Sequence, residues 1–246
     1  HPSIPMSIRR QIKKCLYESP DFYHRLLVAR SRLTVPGRAG HIRRYLERPG
    51  PHLLQLGSGR NHFEGWLNSD LYAKPPRFVF LDLTKPLPLP DQSFDRIFSE
   101  HAIEHIDWRA GQLMLRECHR VLKLGGRIHL ETPDLTYYAE LLTNDLDELK
   151  RKAVEECCRE HGNPIGDPSP CFVLNHMARH YGHQFIYDET YLSAMLAKCG
   201  FVNIRRMPGR DSEDPHFHQA SGRKPSIDMR CNLVMEAEKG EGGAES

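Results

Sequence analysis

The stretch Leu53 to Asp70, LLQLGSGRNHFEGWLNSD, constrains this chain more than any other. It sets a glycine turn directly after a short apolar run and an acidic residue at the end of the next extended segment, the order a nucleotide-binding α/β fold needs. Pro51 to Leu56 is short and apolar enough for a buried parallel strand. Gly57 and Gly59 let the backbone turn sharply and approach a ligand with no Cβ in the way, and Asp70 can accept hydrogen bonds from two ribose hydroxyls. The third glycine of the dinucleotide fingerprint is missing, because position 62 is His62. That argues against NAD and for a different adenosine cofactor.

Downstream, Arg77 to Leu81 reads as a third strand ending at Asp82. A proline-rich link, LTKPLPLPDQ, leads to a fourth strand, SFDRIFSE, and the segment HAIEHI. A helix over Arg109 to Leu122, the turn KLGG and a fifth strand, RIHLETPD, follow. In this order the chain resembles the class I S-adenosylmethionine-dependent methyltransferases, and within them the methyltransferase type 11 group. The matching pieces are LPLPDQSFDRI (Leu87 to Ile97) and RVLKLGGRIHLETPDL (Arg120 to Leu135), with a looser match through Tyr191 to Phe201. The resemblance implies an α/β, Rossmann-like fold: a mostly parallel seven-stranded sheet with helices on both faces, here with N-terminal helices and a cap insertion added. It also implies S-adenosyl-L-methionine as cofactor.

At 246 residues the chain can bury a full core, and one decorated α/β domain is the natural reading. No apolar run approaches a membrane span, and HPSIPMSIRR carries no apolar segment of a secretory signal, so the expected location is the cytoplasm. The seven cysteines are odd in number and scattered, with no C-x-x-C, which points to reduced thiols rather than a disulfide framework or zinc knuckle. The net charge is only +2, yet residues 1–50 carry eleven Lys and Arg against three acids. Such an arm could meet phosphate, an acidic substrate, a membrane surface or RNA, or be a solvated helical face.

Ser7 to Leu33 suggests two short amphipathic helices separated at Ser19-Pro20, with Pro36-Gly37 a break before a basic helix, Ala39 to Glu47. After the fifth strand, Thr136 to Glu160 reads as one helix, HGNPIGDPSPCF as a loop and VLNHMARHYGHQFIYDE as a polar-aromatic segment. Asp188 is placed to cap a helix over Glu189 to Lys198, closed by Gly200. Phe201 to Met207 and Asp228 to Ala237 then form a final hairpin. The expected division is a helical extension over 1–48, a methyltransferase domain over 49–238 and a disordered tail over 239–246. The insertion at about 136–187 exceeds what an α/β crossover needs, so it is expected to cap the substrate crevice, the alternative being a stabilising insertion or the interface of a homodimer.

Cofactor-binding positions follow from the resemblance. Gly57, Ser58 and Gly59 match the glycine-rich turn, Asp70 and Leu71 the ribose-binding position, and Asp82 and Leu83 the adenine-binding one. Ser99, at the end of the fourth strand, should lie beside the methionine part. His101 to His105 (HAIEH) formally fits the H-x-x-E-H zinc pattern, but it follows a strand directly, without an established helix or a third ligand in view. The expectation is therefore no metal, with Glu104 and His105 structural. His101 is expected near the reacting methyl group, where an imidazole could orient or deprotonate an acceptor. His176, His180 and His183, with Arg179, Tyr181 and Tyr187, read as a substrate-facing polar wall, helped by His216 and His218, with His180 and Tyr181 the chosen catalytic candidates.

The expected function is methyl transfer to a small-molecule acceptor. An RNA-directed enzyme is an alternative supported only by the basic arm, since no RNA-binding or N-P-P-Y motif is present and SEHA stands after the fourth strand. A non-catalytic cofactor-binding or partner-binding subunit is a second alternative. Intact Gly57, Gly59, Asp70 and Asp82 count against it.

Overall fold

The computed structural model describes residues 29, 35–72, 76–143, 146–208, 212–218 and 229–241. The two helices expected within Ser7 to Leu33 lie outside the described residues. The elements are α1 (Val35–Leu46), β1 (Leu53–Leu56), β2 (Leu67–Asp70), β3 (Val79–Phe80), β4 (Phe94–Glu100), α2 (Trp108–Val121) and β5 (Leu122–Pro133). They continue with α3 (Leu135–Glu140), α4 (Glu148–His161), α5 (Pro170–Arg179), α6 (Glu189–Lys198), β6 (Phe201–Arg206) and β7 (Asn232–Lys239). Short 3-10 turns span Ile103–His105 and Met229–Cys231.

The seven strands form one sheet in the order β3-β2-β1-β4-β5-β7-β6. β1 to β5 pair in parallel, and β7 runs antiparallel between β5 and β6. The order reverses between β1 and β4, which sets Leu56 beside Ser99 and opens a crevice at the carboxyl ends of the parallel strands. Strand alternation separates two faces. Leu54, Leu56, Ile97, Ile128 and Leu130 join Met114, Leu115 and Cys118 of α2 and Leu192 and Leu196 of α6 in the main core. Each fully buried Leu or Met there contributes about 1.5–3 kcal/mol. Ile42 and Tyr45 extend the same core from α1, and the Tyr45 hydroxyl accepts from the Leu53 amide and lies 2.9 and 3.0 Å from the carbonyls of Leu53 and Gly65, which share its one proton.

On the other face Leu53 and Phe98 are covered by Phe63, Trp66 and Phe217 from two loops. The first loop, residues 57–66, joins parallel β1 and β2 with no helix. Asn68 holds it, accepting from Phe63 N and donating to the carbonyls of Phe63 and Trp66.

Several boundaries differ from the sequence reading. α1 begins at Val35, so Pro36 sits in its first turn, where a missing N–H costs nothing, rather than marking a break. Leu122 enters β5 directly, and the expected KLGG turn becomes an irregularity in that strand, with Gly125 at φ +71°. The single helix expected over Thr136 to Glu160 is two, because Asp147 caps a new helix by accepting from Lys150 N. Pro170 to Arg179 is helical where the end of a loop and the start of a polar-aromatic segment were expected, with Ser169 as its cap. β7 extends to Lys239, whose ammonium donates to the carbonyls of Arg120 and Leu122, so the strand runs past the expected domain end.

Candidate active site

The crevice is built from the ends of β1, β2, β4 and β5. Gly57 turns at φ +66°, and a Cβ there would stand 2.5 Å from Cβ of Ala102, so the turn is pressed against the segment that follows β4. Gly59, at φ +57°, has open space where a Cβ would be. The Gly59 amide donates to Asp70 Oδ2 at 2.8 Å and the Tyr72 amide to Oδ1 at 2.7 Å, which leaves lone pairs on both oxygens. Burial pushes the Asp70 carboxyl above the usual range, partly offset by these two amides. Ser58 is turned inward, its amide and hydroxyl both donating to the Ser69 carbonyl while its own carbonyl accepts from the Asn61 amide, which fixes the turn.

Asp82 holds a local turn: Oδ1 accepts from the amide and hydroxyl of Thr84, and Lys85 lies 3.7 Å from Oδ2. Leu71 and Leu83 beside the two acids are half-buried, and Ser99 is buried. An open glycine turn facing a carboxylate with free lone pairs fits an adenosine cofactor.

His101 stands directly after β4 at φ +50°, a conformation unusual for a residue with a side chain. Its amide donates to the Glu131 carbonyl, and its Nδ1 lies 2.9 Å from Glu104 Oε1. Nε2 is 3.8 Å from Glu131 Oε1, which also accepts from Asn232 Nδ2. Burial alone would lower the imidazole pKa, but Glu104, Glu131 and Glu100 outweigh it and raise it. Glu104 is fully buried, and although burial would raise its carboxyl, the His101 contact holds it below the usual range. Glu100 and Glu131 were missed in the sequence. The available signal was an acid at the end of each strand flanking the crevice.

His180 and Tyr181 lie in a different cluster. The Tyr181 hydroxyl bridges His161 Nε2 at 3.1 Å and His176 Nε2 at 3.2 Å, joining α4 to α5. His176 stacks on His161 and His180, with ring centroids 3.9 and 4.2 Å apart. Burial, then the neighbouring His161, His180 and His183, push His176 down to about 4. Tyr181 meets His183, which meets His105 edge-on at 4.9 Å, so the path from the cap to the His101 segment runs through those two histidines. His161 was missed because it is distant in sequence from the others.

His216 and His218 bond to Asp214 and Ser212 within their own loop, and Phe217 between them is buried against Trp66. They serve that loop. Tyr187 is completely buried, its carbonyl accepting from Leu135 N.

Residues 54–130 match the family model described as a methyltransferase domain. No curated protein matches the sequence. Among solved structures, similarity is found to a SAM-dependent methyltransferase from Archaeoglobus fulgidus, at 17% identity over 92% of this chain and 99% of that one, with a TM-score of 0.46. A second, from Mesorhizobium loti, is 18% identical over 80% and 95% of the two chains, also at 0.46. A third, from Thermotoga maritima and described as a possible histamine N-methyltransferase, is 17% identical over 88% and 97%, again at 0.46. The matched segment runs from β1 into β5 and contains the glycine turn, Asp70 and HAIEH. The chain carries a methyltransferase domain over those residues. Among the described residues no helix is long and apolar enough to cross a membrane.

Proposed function

We propose that this methyltransferase acts on a small-molecule acceptor held between the carboxyl end of β4 and the α4–α5 cap. The bound cofactor supplies an already activated sulfonium methyl, so the protein's task is to align donor and acceptor. In this reading the backbone of Gly57, Ser58 and Gly59 cradles the cofactor and Asp70, next to Leu71, takes the ribose hydroxyls. Asp82 and Leu83 flank the adenine, and Ser99 borders the methionine part.

The observation that carries the proposal is the contact of Gly57 with Ala102, which puts His101 next to the cofactor turn while Glu104 holds its ring. His101 then orients the acceptor, and the exposed His180 and Tyr181 contribute from the cap side. Transfer of labelled methyl from S-adenosylmethionine to fractionated small metabolites, run beside total RNA, tests this reading. Labelling of the metabolite fraction that falls with His101→Ala is the expected result. Labelling of RNA alone would overturn it.

A further inference from the structure

The segment after β4 meets the cap at one place where side chains of different origin converge. A carboxylate oxygen of Glu104 and one ring nitrogen each of His105 and His183 lie within 4.8 Å of one another. The sequence offers the first two as neighbours but gives no sign of the third, which enters from the loop after α5. Three hydrogen bonds fix that loop in place. The Gln184 amide donates to the Glu104 carbonyl at 2.7 Å, the Phe185 amide to the same carbonyl at 3.3 Å, and Gln184 Nε2 to the His105 carbonyl at 2.8 Å. The backbones that carry the three groups are therefore locked together before any ligand arrives.

The side chains are oriented as well. His183 Nδ1 lies 2.7 Å from the Met177 carbonyl. A carbonyl can only accept, so the proton sits on Nδ1 and the lone pair is on Nε2. The His105 and His183 rings meet edge-on with centroids 4.9 Å apart, close enough for one ion to be reached by both. Glu104 is completely buried, and its oxygens are steadied by His101 Nδ1 on Oε1 and by the Thr132 hydroxyl on Oε2. An imidazole whose other nitrogen donates to a carbonyl, and a carboxylate with its own hydrogen bonds, are the outer supports that metal ligands carry.

We propose that Glu104, His105 and His183 form a binding site for one divalent transition-metal ion of the zinc class. Two imidazoles and a carboxylate suit zinc, cobalt or nickel better than magnesium or calcium, which take oxygen ligands. Three protein ligands leave at least one coordination position for water or for an oxygen of a bound molecule. A second group nearby, Glu100, His101 and Glu131, also converges, but it offers a single imidazole and two carboxylates. The proposed site spans the junction between the cofactor domain and the cap, so an ion there would join them. The site does not depend on the nature of the acceptor.

Untagged protein stripped with a chelator and titrated with cobalt(II) tests the proposal. Wild type should take up one equivalent, develop visible absorption of a four- or five-coordinate ion, lose that absorption to zinc, and melt at a higher temperature when loaded. His105→Gln and His183→Ala should each weaken binding at least about tenfold. His161→Ala, in the neighbouring histidine stack, should bind as wild type does. Circular dichroism identifies any variant that fails to fold, and His105→Gln keeps the test decisive if His183→Ala does so. Less than a tenth of an equivalent bound by wild type, or wild-type affinity in a folded His105→Gln or His183→Ala, would overturn the site.

Discussion

Between Leu53 and Asp134 strand ends and backbone amides position Asp70, Ser99 and Glu100, whereas between Leu135 and Tyr187 the side chains of His161, His176 and Tyr181 position one another. In the first region parallel strands set Leu56 beside Ser99 and Glu100 beside Glu131, and backbone amides hold Asp70. In the second, Tyr181 ties His161 to His176, and His183 meets His105. A site built on strand ends is rigid and suits a cofactor of fixed shape. The cap has a small apolar cluster of its own, Tyr137, Tyr138, Leu141, Val154, Cys158 and Val173, so it can be altered without disturbing the main core of the sheet, which suits the acceptor-facing role proposed for it.

The contrast makes its strongest demand at Gly57. Gly57→Ala must hold an L-residue at φ +66°, which costs about 1–2 kcal/mol, and force apart a contact at 2.5 Å, which costs about 1–3 kcal/mol more. Denaturant unfolding should show that loss, and S-adenosylhomocysteine binding should fall with it. Asp70→Ala removes the acceptor of the Gly59 and Tyr72 amides, at about 0.5–1.5 kcal/mol of stability for each bond, and should weaken S-adenosylhomocysteine by about 1.5–3 kcal/mol, roughly ten- to over a hundredfold in calorimetry. Equal affinities for Asp70→Ala and wild type would remove Asp70 from the cofactor site.

On the cap side the order of effects should reverse. Tyr181→Phe removes a hydroxyl shared by two imidazoles, at about 0.5–1.5 kcal/mol of stability. Together with His180→Ala it should reduce kcat/KM for methyl transfer while leaving cofactor affinity within about twofold. If both variants turn over normally, the cap is scaffold and the acceptor is held elsewhere.

Acid should separate the two regions as well. His176 is held at about 4 in the folded chain by burial and by the neighbouring histidines, below the ordinary 6.5. The unfolded chain therefore binds more protons between those values, and the stability tied to a neutral His176 is present above pH 6.5 and lost as pH falls toward 4. Glu117 behaves the same way lower on the scale. Its hydrogen bonds to Arg120 and to the Leu87 amide depress it below 4.5, so the clamp it forms between α2 and the proline-rich link is lost only as pH falls through that depressed value. Hydrogen exchange at falling pH should show α4 and α5 losing protection before α2, and His176→Gln should remove the earlier step. Simultaneous loss would mean that cap and sheet open as one unit.

How much of this was legible in the sequence follows from the same contrast. The first strands along the chain, the glycine turn and α6 with its Asp188 cap could be read because each depends on neighbours within a few positions: a turn needs glycine, a cap needs an acid, a buried strand needs a short apolar run. Element ends were less legible. Asp147 splits the helix expected over Thr136 to Glu160, and Ser169 with Pro170 starts one where the end of a loop was expected, because capping competes with periodicity residue by residue.

By itself, then, the sequence determined individual strands, the glycine turn after β1 and the presence of an insertion through local conformational preference and hydrophobic pattern, and the parallel sheet through its resemblance to a known family. Only the tertiary structure decided that Glu104 is a buried partner of His101 and that His183 returns to His105. It also decided that Tyr181 spends its hydroxyl on His161 and His176, and that Phe217 joins Trp66 and Phe98 in one apolar cluster. The reason is physical. His183 and His105, Tyr181 and His161, and Phe217 and Trp66 are far apart in the chain, and even the near pairs His101 and Glu104 or His176 and Tyr181 are selected by burial and by the need of each buried polar group for a hydrogen bond, conditions that exist only once the whole chain has folded.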